Sequence, residues 1–159
     1  MAKKRLSLRE EIRQNRPFAS PAQEAILALF RTSDQLQRRM AQLVEAHGIS
    51  LQQYNVLRIL RGAGLEGMPT LEIADRMIEK TPGITRLLDK LEAKRLVRRK
   101  RCPEDRRQVL CWSSDAGLKL LADLDRPAAD TGESSMAALS SSELRELIAM
   151  LERVRAELS

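Results

Sequence analysis

Apolar positions recur at helical spacing along most of the chain and break from it once. Ile26, Phe30, Leu36, Met40, Leu43 and Val44 form the stripe of a long amphipathic helix. Tyr54, Leu57 and Leu60 give a second helix its inner face, and Ile73, Ala74 and Met77 serve a short third. A fourth buries Ile84, Leu87, Leu88 and Leu91 and turns Thr85, Arg86, Asp89 and Lys90 outward. Leu118, Leu121 and Leu124 mark a fifth. Leu144, Leu147, Leu151, Val154 and Leu158, spaced 3, 4, 3 and 4, mark the last. Over residues 96–112 the pattern changes. Leu96-Val97-Arg98-Arg99-Lys100-Arg101 and Gln108-Val109-Leu110-Cys111-Trp112 are short β-type runs. The polar loop between them, Cys102-Pro103-Glu104-Asp105-Arg106-Arg107, predicts a β-hairpin.

Local punctuation agrees with these elements. Ser7-Leu8-Arg9-Glu10, Ser20-Pro21-Ala22-Gln23, Ser50-Leu51-Gln52-Gln53 and Ser140-Ser141-Ser142-Glu143 are capping boxes, in which a serine oxygen and an acid or amide satisfy free N–H groups reciprocally. The first opens a short helix that Pro17 is expected to end. Gly48 stands where a helix C-terminus needs a left-handed residue, and the Arg61-Gly62-Ala63-Gly64 run stops the following helix. Thr70 starts the short helix, and Thr81 caps the next with Pro82 in its first turn. Ser113-Ser114 caps the helix of Leu118, which Pro127 is expected to kink or break. The order is four helices, a hairpin and two helices: a mostly α fold with a small β-hairpin.

The chain has 159 residues, the size of one domain, 1–159. No apolar run reaches 18 residues, and the basic N-terminus lacks the apolar stretch of a signal peptide, so a cytoplasmic location is expected with no membrane partner. One histidine, His47, and two cysteines, Cys102 and Cys111, do not assemble a metal cluster or a nucleophile–base pair, so no enzyme, metal or cofactor is expected. Aromatics at 3% do not suit single-strand stacking. Charge is informative through its placement. Of the net +6, residues 86–107 carry +6 and residues 1–16 carry +4, leaving −4 on the remainder. Clustered cations displace counterions from a phosphate backbone, although a solvated basic face gives the same count.

Two short helices joined by the Ile78-Glu79-Lys80 turn form a helix-turn-helix candidate, and the hairpin follows at once. Together they describe a winged helix, in which a helix reads base edges and the hairpin reaches the backbone or minor groove. The run from Thr81 to Arg99, then Pro103-Glu104-Asp105-Arg106-Arg107, then Ser114-Asp115-Ala116-Gly117, resembles the multiple antibiotic resistance regulator (MarR) family. The resemblance extends over nearly the whole chain.

The resemblance implies a winged helix-turn-helix transcription regulator, a repressor in the main, that binds a pseudo-palindromic double-stranded DNA operator as an intertwined homodimer. Residues 50–112 would form the DNA-binding lobe, and 20–48 and 114–159 the dimerisation helices. A recognition helix over about 81–94 would bring Thr81, Gly83, Thr85, Arg86 and Lys90 to the DNA, with Arg98, Asp105, Arg106 and Arg107 from the wing. Arg107 would enter the minor groove and Asp105 would hold it by a salt bridge. A small lipophilic or phenolic effector would bind between the two parts, with Phe30, Met40, Tyr54 and Leu57 as positional candidates. The Leu144, Leu147, Leu151, Val154 and Leu158 seam reads either as an internal core stripe or, as the family implies, as the dimer interface. Two departures stand out: Arg95 occupies the position where the family has glycine, and Ser113 a position where it favours leucine. A winged-helix module that binds protein and has no operator is the alternative.

Overall fold

The computed structural model describes residues 6–80, 82–105 and 107–158. The chain divides into two compact units, Met1–Arg39 and Met40–Ser159.

The first unit holds α1 (Leu8–Glu11) and most of α2 (Pro21–Glu45). At α1 the Glu10 carboxylate accepts the Ser7 backbone N–H at 2.8 Å, and Ser7 Oγ accepts the Glu10 N–H at 3.3 Å. These bonds favour the ionised acid and hold the Glu10 carboxyl below the usual glutamate range. The helix stops sooner than Pro17 would require, because Arg13 adopts a left-handed φ of 53°. At α2 the box is displaced: Ser20 Oγ accepts the Gln23 N–H at 3.2 Å, but the Gln23 side chain accepts from Ala19 rather than Ser20, at 2.7 Å. Glu11 then takes Arg31 at 3.1 Å and Gln35 at 2.6 Å.

In the second unit, α2 ends at the Gly48 turn, where φ is 77°. The unit continues through α3 (Leu51–Ala63), a 3-10 turn, β1 (Met68–Pro69), α4 (Thr70–Arg76) and α5 (Ile84–Ala93). A hairpin of β2 (Val97–Arg101) and β3 (Val109–Ser113) precedes α6 (Asp115–Met136) and α7 (Ser141–Ala156). The capping boxes at Ser50 and Ser140 are both formed. Val44, Leu57, Leu60, Ile73, Leu88, Leu91, Leu121 and Leu124 meet in one core and are almost wholly excluded from solvent. Each such side chain contributes about 1.5–3 kcal/mol through its burial. That core is the rigid base on which α5 and the hairpin stand.

Three expectations need correction. The hairpin belongs to a three-stranded antiparallel sheet of order β1-β3-β2, because Met68 and Pro69 pair with Cys111 and Leu110. Trp112 closes that edge by donating its indole N–H to the Leu65 carbonyl at 2.9 Å. Pro127 does not break α6, which runs unbroken to Met136. Proline costs the helix one backbone bond, but Leu121 and Leu124 anchor the preceding turns in the core. Leu118, expected inward, is 41% exposed.

Candidate nucleic-acid interface

Helix α5 begins at Ile84, later than the expected start at Thr81. Its N-cap is Gly83 with φ 100°, a conformation that a side chain would strain, and the Gly83 carbonyl accepts the Arg86 N–H at 2.9 Å. Thr81 lies outside the described residues. The connection from α4 is therefore longer than Ile78-Glu79-Lys80. It is held by the Ile78 N–H, which donates to Asn55 Oδ1 on α3 at 3.0 Å, and by Lys80 Nζ on the Asp75 carbonyl at 2.9 Å. Leu88 and Leu91 sink into the core, while Gly83, Thr85, Arg86, Asp89 and Lys90 stay exposed. The amphipathic pattern of α5 thus presents one polar face to solvent, with Arg86 and Lys90 on it.

The C-terminus of α5 fixes where the hairpin starts. The Arg95 N–H donates to Glu92 at 2.8 Å and the Leu96 N–H donates to Leu91 at 2.9 Å. This double closure requires a left-handed residue, and Arg95 supplies it with φ 58°. Ser114 then bonds this turn from below: its hydroxyl donates to the Arg95 carbonyl at 2.7 Å and its N–H to the Leu96 carbonyl at 3.0 Å. Gly117 packs so closely here that a Cβ would stand 2.3 Å from the Leu96 carbonyl oxygen. Lys94 Nζ reaches back to the Gly48 carbonyl and to Gln53 Oε1.

Strand alternation sorts the basic run of β2. Arg98 lies exposed with its guanidinium 5.7 Å from the Trp112 ring centroid. Arg99 points to the other side of the sheet, onto α5. Its Nη2 is 2.6 Å from Asp89 Oδ1 and 2.5 Å from Glu92 Oε2, and its Nε is 3.0 Å from the same Glu92 oxygen. The Glu92 carboxylate, with Asp89 adding to it, holds the Arg99 pKa above the usual arginine value. From sequence Arg99 reads, with Arg98, Lys100 and Arg101, either as a phosphate contact or as part of a solvated strand, of which alternation lets only half face DNA. The alternation of Val97, Arg99 and Arg101 was the available signal, but its partners lie 10 and 7 residues upstream on another element.

At the hairpin tip Asp105 and Arg107 are brought together, though not by the expected salt bridge. Asp105 Oδ1 accepts the Arg107 backbone N–H at 3.0 Å, and the Asp105 carbonyl accepts from Gln108 at 2.9 Å. The acid shapes the turn, and the exposed Arg107 side chain projects from it. Arg106 lies outside the described residues.

The remaining candidates separate by burial. Leu57 is wholly enclosed in the core beside Tyr54, Met40 is half-buried, and Phe30 on α2 is 68% exposed. Leu57 therefore has no free surface for an effector. On α7, Leu144, Leu147 and Leu151 are half-buried and Val154 is 47% exposed, while Leu158, in the turn beyond α7, is 81% exposed. Cys111 is fully buried, which pushes its thiol pKa up and keeps it unreactive. No helix among the described residues is long and apolar enough to cross a membrane.

A solvent-facing helix carrying Arg86 and Lys90, set between a turn and a three-stranded wing, defines the lobe as a winged helix-turn-helix DNA-binding unit. The MarR family model matches residues 49–109. The HTH-type transcriptional regulator MhqR of Bacillus subtilis (strain 168) is 30% identical over 128 residues, spanning 80% of this chain and 87% of that protein. A MarR transcription factor of Planctomyces limnophilus, known from its crystal structure, is 46% identical with a TM-score of 0.67, over 86% of this chain and 98% of that one. The S. aureus MepR–DNA complex matches in fold, with a TM-score of 0.75 at 24% identity over 82% of this chain and 96% of that one. The chain belongs to the MarR family and is a DNA-binding transcriptional regulator.

Proposed function

We propose that two copies of this chain bind a pseudo-palindromic operator in the cytoplasm, each placing α5 in a major groove and its hairpin tip against the adjacent minor groove. The observation that carries this reading is the shared exposure of Thr85, Arg86 and Lys90 on α5 with Arg107 at the wing tip, all mounted on one core. Arg86 and Lys90 supply the donors that guanine edges and phosphates accept. Arg107 supplies the guanidinium that a narrow minor groove favours. The solved complex of MepR with DNA supports the mode of docking by its fold.

Pairing is supported by apolar surface that the single chain leaves open. Ile26 and Phe30 on α2, Ile148, Met150 and Val154 on α7, and Leu158 just beyond it are each about half exposed or more. Two-fold symmetry would set the recognition helices about 34 Å apart, one turn of duplex. A small phenolic or lipophilic effector that prefers a dimer with the wrong spacing would then release the operator.

The test is binding to the intergenic DNA upstream of the chain's own gene against a shuffled duplex, across a salt series. Preference for the upstream DNA above about 10³-fold, with a steep log–log salt slope, is the expected result. Arg107→Ala should weaken binding to the upstream DNA by roughly 1–3 kcal/mol. Equal binding of the two duplexes overturns the reading in favour of a protein-binding module.

A further inference from the structure

Among the described residues, Arg99 is the one wing cation that turns away from solvent. Its side chain is 21% exposed and is shared between two carboxylates of α5, whereas Arg98 and Lys100 on either side are exposed. With Nε and Nη2 both committed to carboxylates, most of this guanidinium's donors face α5 rather than a phosphate. It bridges instead. Nη2 spans Asp89 and Glu92, residues three apart on one helix face, and Nε repeats the Glu92 contact.

This bridge sits at a mechanically sensitive place. Arg99 is the central residue of β2, paired across the hairpin with Cys111, and Cys111 is buried in the core. From that point outward none of the described hairpin residues is fully buried, and only Val109 still packs partly on the core. The tip lies about five residues away, on the order of 15 Å. A swing of roughly 10° about the base would move Arg107 by about 3 Å, enough to lose a groove contact. On the other side of the bridge, Asp89 lies three residues from Arg86 and next to Lys90, the two cations of the reading face.

We propose that Arg99 is a positioning residue that clamps the wing to the recognition helix through Asp89 and Glu92, so that Arg86, Lys90 and Arg107 meet one duplex in fixed relative placement. The clamp also cancels two carboxylates that would otherwise repel phosphate beside the helix. It rests on the DNA-binding reading above, and it makes Arg99 a determinant of sequence discrimination without any contact to DNA.

The experiment compares the full-length chain with Arg99→Gln, Arg99→Lys and Glu92→Gln. Binding is measured to the upstream intergenic duplex and to a shuffled duplex of equal length, together with amide hydrogen exchange of the free proteins. Arg99→Gln and Glu92→Gln should weaken the upstream duplex by about tenfold or more while changing the shuffled duplex less than about threefold. Arg99→Lys, which keeps one ion pair, should fall between. Exchange should quicken across residues 97–112 and stay unchanged in α3 and α6. Equal loss on both duplexes, with a salt slope lower by about 0.9, would make Arg99 a phosphate contact and overturn the clamp. So would unchanged discrimination in both Arg99→Gln and Glu92→Gln. A wild-type chain that binds the two duplexes alike removes the DNA-reading premise instead, and is distinguished from clamp failure by that control.

Discussion

Replacing Arg95 by glycine should stabilise the protein. Arg95 holds φ at 58° because the close of α5 requires a left-handed residue between Glu92 and Leu96. For a residue with a Cβ that conformation costs roughly 1–2 kcal/mol. Glycine removes the cost but adds freedom to the unfolded chain, a loss of about 0.5–1 kcal/mol. Removing a cation from the helix C-terminus subtracts a few tenths of a kcal/mol more. A net gain of about 0.2–0.7 kcal/mol remains, equal to a rise in Tm of roughly 1–2 °C for a chain of this length. Scanning calorimetry without DNA, at one protein concentration, reads the shift. Ala93→Gly, two residues earlier and inside α5, is the control and should lower Tm, because glycine in a helical position costs about 1 kcal/mol. If Arg95→Gly lowers Tm as much as Ala93→Gly does, the strain at Arg95 is not real.

Gly117→Ala should destabilise by about 2 kcal/mol, since the new Cβ meets a backbone carbonyl at 2.3 Å and must displace the Leu96–Ser114 bond. Urea unfolding at fixed m-value measures it. The Glu10 carboxyl should titrate below the ordinary glutamate value in an NMR pH series, because the Ser7 bonds favour its ionised form. The folded pKa is depressed, so the stability it lends α1 is present above the unfolded value and is lost as pH falls through the folded one; a Ser7→Ala variant should return the midpoint toward normal. Val154→Lys combined with Leu158→Lys should convert a dimer to a monomer in sedimentation, as both side chains are open at the C-terminal end of α7 and just past it, and a buried pair of ammonium groups is not tolerated there.

What could be read along the chain was local. The capping boxes at Ser7, Ser50 and Ser140 need only four consecutive residues, and all three form as written. The hairpin was visible because the hydrophobic period changes over many residues. Strand β1 was not, since two residues have no period and its existence depends on Cys111 and Leu110 more than 40 positions away. Pro127 shows a local rule overruled by tertiary anchoring. At the interface, Thr85, Arg86 and Lys90 followed from helical phase. The Asp105–Arg107 relation was readable as a pair, but its form, a side chain on a backbone N–H, depends on turn geometry. The engagement of Arg99 with α5 is a contact between separate elements.

Hydroxyl-radical footprinting of the full-length chain on its own upstream intergenic DNA, with the bound stoichiometry measured by sedimentation, tests the whole account most directly. Two protected tracts centred one helical turn apart, flanked by minor-groove protection that Arg107→Ala erases, with two chains per duplex, are the predicted result. A single tract bound by one chain, or protection that ignores the sequence, would contradict it.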